Sequence, residues 1–241
     1  MSAIKTIETQ SKTAPNNQVV RRVEIHEYKR ACEALAEAFE ADDSSEYLCF
    51  CDGRTKEEAA AFDIKIFEYI VYAHLLDGLV LTIGDFESVA CWMPPGKNMD
   101  QYWSMLRSGM WRLWFMYGAE GRKRFFSDYL PIMRNAKKKV LGEFDDNSWY
   151  LIYLGTIPQA RGKGHARKSI EHVTRMADKE RIPCYLESSN LINRVIYNKY
   201  GFDYKTTIYL GKFANPPQKI PLEIMVREPK KTIEESNPPI A

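Results

Sequence analysis

Apolar residues recur along the chain with two different periods, and the switches between them mark out its elements. Val19 to His26 alternates as a strand does, and Cys32, Leu35 and Phe39 then fall at helical spacing. Between Lys56 and Leu76, Phe62, Ile66, Ile70 and Ala73 share one helical face. Two short apolar runs, LVLTIGD and ESVACWMPPG, meet at Gly84 and Asp85 and read as a hairpin that Pro94, Pro95 and Gly96 stop. From Met99 to Leu141 the period is helical again, with Trp103, Leu106, Met110, Trp114 and Tyr117 in step and a second helical stretch after Gly121. Trp149 to Ile157 reads as a buried strand. Gly164 to Glu180 reads as a helix with Ala166, Ile170, Val173 and Ala177 inward. CYLESS predicts a strand, NLINRVIYNKY a short helix, and YKTTIYLGKF and KIPLEIMVRE two closing strands. This order predicts an α+β fold: one domain over residues 19–227, with a central mixed β-sheet flanked by helices and a helical insertion over 99–141. Residues 1–18 read as a flexible arm and 228–241 as a polar tail.

Composition narrows the function classes. The 241 residues are 45% hydrophobic and 27% charged, values of a globular chain. With 34 Lys+Arg against 32 Asp+Glu the formal net charge is +2, so bulk charge nominates neither nucleic acid nor a membrane as partner. The basic run Lys137 to Lys139 is short enough to be a solvated face. The five cysteines lack framework spacing, and the four histidines are scattered, which predicts free thiols, a reducing compartment and no metal. The polar N-terminus has no secretory core, and no stretch reaches the ~20 apolar residues of a membrane helix, so a cytoplasmic protein is expected. Aromatics, at 12%, cluster in the insertion.

The sharpest chemical feature is Gln159-Ala160-Arg161-Gly162-Lys163-Gly164-His165-Ala166, between a strand and a helix. Two glycines allow close backbone approach, unpaired N–H groups at a helix start suit phosphate oxygens, and Arg161 and Lys163 add positive charge. Neither the P-loop nor the Rossmann glycine pattern is present. Downstream, Asn190, Asn193, Ile196 and Tyr197 lead into Lys199-Tyr200-Gly201-Phe202.

Together, Gln159-x-x-Gly162-x-Gly164 and Asn190-x-x-Asn193-x-x-Ile196-Tyr197 resemble the two signatures of the GCN5-related N-acetyltransferases, with Asn193 in place of the common Ala. The resemblance covers about Trp149 to Leu210 and is nearest to puromycin-type and related small-molecule enzymes. It implies acetyl-CoA as acyl donor, with its pyrophosphate on Arg161, Gly162, Lys163, Gly164, His165 and Ala166. Its pantetheine would pair as a false strand near Leu154 and Thr156, where a backbone N–H would polarise the thioester carbonyl. Gly155 would accommodate a bulge or a close backbone approach. Tyr197 would be the general acid, and Asn190 would contact the cofactor arm or cap its helix. Glu187 is the first candidate for general base and Glu223 the second. Trp103, Trp111 and Trp114 either line an acceptor pocket or pack the inserted helices together. An acidic stretch from Glu24 to Asp63 would suit an amine acceptor. The implied activity is direct acetylation of a small-molecule amine in a ternary complex. The alternatives are acetylation of a protein N-terminus or lysine, and a CoA-binding regulatory protein without turnover.

Overall fold

A capping box starts the helix on which one side of the molecule is built. The Thr55 hydroxyl accepts from the Glu58 N–H while the Glu58 carboxylate accepts from the Thr55 N–H, opening α3 (Lys56–Asp77). The computed structural model describes residues 19–99 and 101–230, so the expected arm at 1–18 and most of the expected tail lie outside the described residues. Before α3 come β1 (Arg21–Arg22), α1 (Tyr28–Ala38) and α2 (Asp43–Cys49); after it come β2 (Leu79–Ile83) and β3 (Ser88–Met93). The insertion holds α4 (Tyr102–Ser108), α5 (Leu113–Met116), α6 (Ala119–Arg122), a wide π-type turn over Lys123–Tyr129, and α7 (Leu130–Leu141). The chain closes with β4 (Trp149–Thr156), α8 (His165–Glu180), β5 (Cys184–Ser188), α9 (Asn193–Asn198), β6 (Asp203–Leu210) and β7 (Ile220–Arg227).

Among the described residues seven strands form one mixed sheet in the order β1-β2-β3-β4-β5-β7-β6. Only β4 and β5 are paired in parallel. Strand alternation divides the core. Leu79, Leu81, Trp92, Leu151, Leu186 and Met225 face Ile170, Val173 and Ala177 of α8. On the other side, Val80, Val89 and Cys91 meet Cys32, Leu35, Phe67 and Val71 of α1 and α3. The inserted helices prolong that second layer, placing Met110, Leu113, Tyr117 and Phe125 in one cluster with Tyr150, Tyr185, Ile224 and Val226.

Two local elements differ from expectation. The strand expected over 19–26 is only Arg21–Arg22, paired to Thr82 and Leu81. Glu27 accepts from the Glu24 N–H and takes both prongs of Arg21, so side-chain bonds turn the chain before a longer ladder forms. Helix α2 was not expected; Asp42 caps it by accepting from the Ser44 and Ser45 N–H groups at 3.0 and 3.1 Å.

Strand β4 carries the feature that makes a site. Cys91 pairs with Tyr153 and Trp92 with Leu151, so Ile152 is the extra residue of a bulge. Pairing of β4 with β5 stops at Leu151–Leu186, and beyond it the two strands part. The bulge therefore lies at Ile152. Gly155 serves the other purpose considered for it, a close approach of helix α1. A Cβ on Gly155 would lie 2.8 Å from the Ala38 Cβ and 3.1 Å from the Leu35 Cδ2. Gly155→Val is expected to cost about 1–3 kcal/mol through overpacking. Thermal denaturation should show a lowered Tm, and an unchanged one would mean that α1 does not seat on this strand.

Candidate active site

The parting of β4 from β5 leaves Ile152 to Thr156 without a strand neighbour on that side, and the two sequence motifs follow directly from the ends of these two strands. Past Thr156 the chain makes a short turn at Pro158–Ala160 and enters the glycine loop. Gly162 and Gly164 have φ of +82° and +77°, where an L side chain is strained, and a Cβ built on either meets nothing within 4 Å. Conformation, not crowding, selects glycine there, and open space lies above the backbone. The loop delivers the chain to His165 and Ala166, the first residues of the sixteen-residue α8.

The basic side chains of the loop are held by the protein. Lys163 Nζ lies 3.0 Å from Glu87 Oε1, and His165 Nε2 lies 2.7 Å from Glu87 Oε2. These two partners hold the Glu87 carboxyl below its ordinary pKa. Arg161 donates to the carbonyls of Thr156 and Ala38, both at 3.3 Å, tying the loop to the ends of β4 and α1. Thr156 Oγ1 lies 3.0 Å from Ser88 Oγ, and Leu154 is half-buried on the α8 side. Sequence spacing brought out every member of this loop but not Glu87, whose partnership depends on folding the hairpin turn against it.

At the other edge, Glu187 sits at the end of β5 on the face covered by the insertion. Burial drives its carboxyl up to about 7, against the lowering effect of the Tyr150 and Tyr185 hydroxyls and of Lys137. Its Oε1 and the Tyr185 hydroxyl lack a hydrogen-bond partner within normal reach. Burial raises the phenol pKa of Tyr129 and of Tyr153, and each senses the other and the charge of Asp42. Asp42 also accepts from the Ser189 hydroxyl, so the α2 cap reaches the end of β5. Asp63 accepts from Ser45 Oγ at 2.7 Å and Cys49 Sγ at 3.3 Å, and burial raises its pKa. A small cavity between these elements is lined by Phe39, Asp42, Ser45, Asp63, Phe67 and Tyr153, among others.

Glu223, one residue out of phase with Glu187 across the β5–β7 ladder, faces the other side of the sheet. There it is buried in a two-pronged ion pair with Arg194 of α9, at 2.9 Å through Nε. That engagement leaves it a structural carboxylate, and the second base candidate is set aside. Tyr197 lies on α9, its ring 5.9 Å from Phe202 in an edge-on contact, and burial raises its phenol pKa. Asn190 Oδ1 accepts from the Ile192 N–H at 2.9 Å, a turn that leads into α9, although the helix cap itself is Ile192. All five cysteines are buried without disulfides, and burial pushes the Cys184 thiol up to about 12.

Trp103, Trp111 and Trp114 are not brought to this cavity. All three are exposed on the outer side of the insertion, because Met110, Leu113 and Tyr117 take the inward positions of the same turns. Helical spacing shows that a stripe is apolar but not which of two overlapping stripes is inward. The parts of the insertion that reach Glu187 and Tyr153 are Tyr129 and Lys137. Trp111→Ala and Trp114→Ala are accordingly expected to leave acceptor preference unchanged.

No family model matches the chain. A Schizosaccharomyces pombe protein described as an uncharacterized N-acetyltransferase is 48% identical over 210 residues, covering 87% of this chain and 83% of that protein. Among solved structures, arylalkylamine N-acetyltransferase 2 from Aedes aegypti matches with a TM-score of 0.61 at 19% identity, over 89% of this chain and 100% of that one. A Corynebacterium glutamicum structure described as histone acetyltransferase HPA2 and related acetyltransferase matches with a TM-score of 0.55 at 17% identity, over 90% of this chain and 98% of that one. At these identities the structural likeness is one of fold.

Proposed function

Because the chain belongs to the GCN5-related N-acetyltransferase superfamily, we propose that it moves an acetyl group from acetyl-CoA directly to the amine of a small molecule. The observation that carries this reading is the position of Glu187, a carboxyl near neutrality at the point where β4 leaves β5. The donor fits the other end of the same opening. Two glycines with open space above them and the start of a long helix offer backbone N–H groups to a pyrophosphate. Arg161 and Lys163 would supply charge, His165 and Ala166 would present the start of the helix, Asn190 would meet the pantetheine arm, and Leu154 and Thr156 lie on the unpaired edge of β4. Acetyl-CoA supplies the acetyl group as a thioester.

The roles of the protein groups follow from their chemistry. An ammonium near pKa 10 is a weaker acid than Glu187, so proton loss is uphill by about 3 pKa units, or ~4 kcal/mol, before attack. Once Glu187 has taken that first proton and passed it to water, the neutral amine attacks, its nitrogen becomes strongly acidic as it bonds to carbon, and the regenerated carboxylate takes the second proton readily. Tyr197 stays protonated at any physiological pH and offers its O–H to the departing sulfur. Because burial raises its pKa above that of an ordinary thiol, its contribution is a hydrogen bond in the transition state more than a completed transfer. The N–H groups of β4 would bind the carbonyl oxygen.

A small acceptor is favoured because the groove beside Tyr153 is walled by α1, α2 and α3, and the acids Asp42 and Asp63 suit a cationic amine. The test is acetyl-CoA-dependent thiol release across arylalkylamines, polyamines, aminoglycosides, aminonucleosides, amino acids and peptides, with the acetylated product identified by mass. Higher kcat/KM on peptides than on every small amine would favour a protein acceptor. Tight acetyl-CoA binding without turnover on any amine would favour a regulatory protein. Gly164→Val, which forces a β-branched residue to φ near +77°, is expected to raise KM for acetyl-CoA about tenfold with little change in kcat. Unchanged KM would remove the phosphate role of the loop.

A further inference from the structure

Much of the aromatic excess of the chain lies on the solvent side of the insertion, from α4 through α5. Tyr102 is 74% exposed, Trp103 69%, Trp111 43%, Trp114 48% and Phe115 72%, with Leu106 and Met116 beside them. An aromatic side chain can bury about 150–250 Å², so five of them near half exposure leave several hundred Å² of apolar surface, which marks an interaction site. The face is a built platform and not a loose loop. Met110, Leu113 and Tyr117 anchor its inner side in the core, and the Ser104 hydroxyl donates to Asp77 at 2.7 Å. The outer rings meet chiefly one another, Tyr102 on Trp103 at 5.4 Å and Trp111 on Phe115 at 6.0 Å.

The charges set among these rings are of one sign. No Asp or Glu occurs between Gln101 and Gly118, whereas Arg107 and Arg112 lie within that span and Arg122 and Lys123 follow it. Arg112 lies 5.3 Å from the ring of Trp111, and Arg122 5.3 Å from that of Trp114. Neither makes an ion pair among the described residues, and Arg107 reaches Asp77 at 3.3 Å while remaining largely exposed. The nearby Glu120 carboxylate is occupied by Arg124 and the Asp52 N–H.

We propose that this face, α4 through α5 with Arg122 and Lys123, docks on the surface of an anionic lipid bilayer. Tryptophan, tyrosine and phenylalanine favour the boundary between headgroup and acyl chain, where their rings sink about 5–10 Å while neighbouring cations hold lipid phosphates. No helix among the described residues is long and apolar enough to cross a membrane, so the contact is peripheral. A second copy of the chain is the less suitable occupant. A two-fold interface would set the patch against itself and bring Arg112, Arg122 and Lys123 of each copy together, none of which has an ion-pair partner among the described residues. This inference departs from the expectation of no membrane partner, which rested on net charge and on the lack of a long apolar run. Neither quantity registers a short amphipathic surface.

The full chain would be sedimented with vesicles of phosphatidylcholine alone and with vesicles of phosphatidylcholine and phosphatidylserine in equal parts. Binding to the mixed vesicles only, weakening as salt is raised and accompanied by a blue shift of tryptophan emission, is the expected result. Tyr102→Ser with Phe115→Ser should reduce partitioning about tenfold, and Arg112→Glu with Lys123→Glu on the order of fivefold per charge. Both variants should keep the wild-type Tm and rate of acetyl-CoA thiol release. Absence of binding to mixed vesicles overturns the proposal. So does a stable dimer by light scattering that the Tyr102→Ser/Phe115→Ser variant dissociates, since the face would then be covered by a second copy.

Discussion

Glu187→Gln is expected to lower kcat by about 10²–10³ and to abolish the rising limb of the pH–rate profile near pH 7. The wild-type rate rises with pH because only the carboxylate accepts a proton, and burial holds that ionisation near 7. Glutamine keeps the shape of the side chain and loses the base. The same shift has an opposite consequence for stability. Because the folded-state pKa lies above the ordinary carboxyl value of 4.5, the stabilising contribution of the neutral carboxyl is complete below about pH 4.5 and is lost as pH rises through 7. Above pH 7, Glu187→Gln therefore removes a buried charge and should raise stability by at most about 3 kcal/mol, seen as a higher Tm. A variant both slower and more stable at alkaline pH is the signature of a carboxyl poised for catalysis. A wild-type rate in Glu187→Gln would dismiss it as the base. Glu223→Gln is the contrasting change. It breaks the ion pair with Arg194 and should lower Tm without moving the pH–rate limb.

The second large effect is expected from Tyr197→Phe, a loss of about ten- to a hundredfold in kcat with KM for acetyl-CoA within a few-fold of wild type. The ring keeps its edge-on contact with Phe202, so the fold is retained and only the hydroxyl proposed to donate to the departing sulfur is removed. Acyl donors whose leaving thiols have a lower pKa discriminate the role. If the phenol donates to sulfur, an acyl donor with a more acidic thiol should suffer less from the substitution. Wild-type turnover across the whole pH range would return Tyr197 to a purely structural part of the α9 core.

Much of the site is legible in the sequence because its pieces are local. Gln159 to Ala166 is contiguous, its glycines serve backbone conformation, and the helix that follows is amphipathic by itself. The Asn190 to Phe202 segment is likewise one short turn and helix. Glu87 is not legible in this way. It lies more than seventy residues from Lys163 and His165 and joins them only when the β2–β3 turn folds onto the loop. Asp42 was visible only as part of an acidic stretch, and its contact with Ser189 depends on α2 reaching the end of β5.

The sequence by itself determined the order of strands and helices apart from α2, the glycine loop and the two motifs, because period-2 and period-3.6 patterns and positive-φ glycines are properties of neighbouring residues. Only the tertiary structure decided three further matters. The bulge at Ile152 ended the β4–β5 pairing at Leu151 and so opened the site. Strand parity put Glu187 under the insertion and Glu223 against Arg194 on the opposite face. The insertion turned Met110, Leu113 and Tyr117 inward and left the tryptophans at the surface. In each case an apolar or acidic pattern shows what a face is made of, whereas what covers that face is set by packing between segments far apart in the chain.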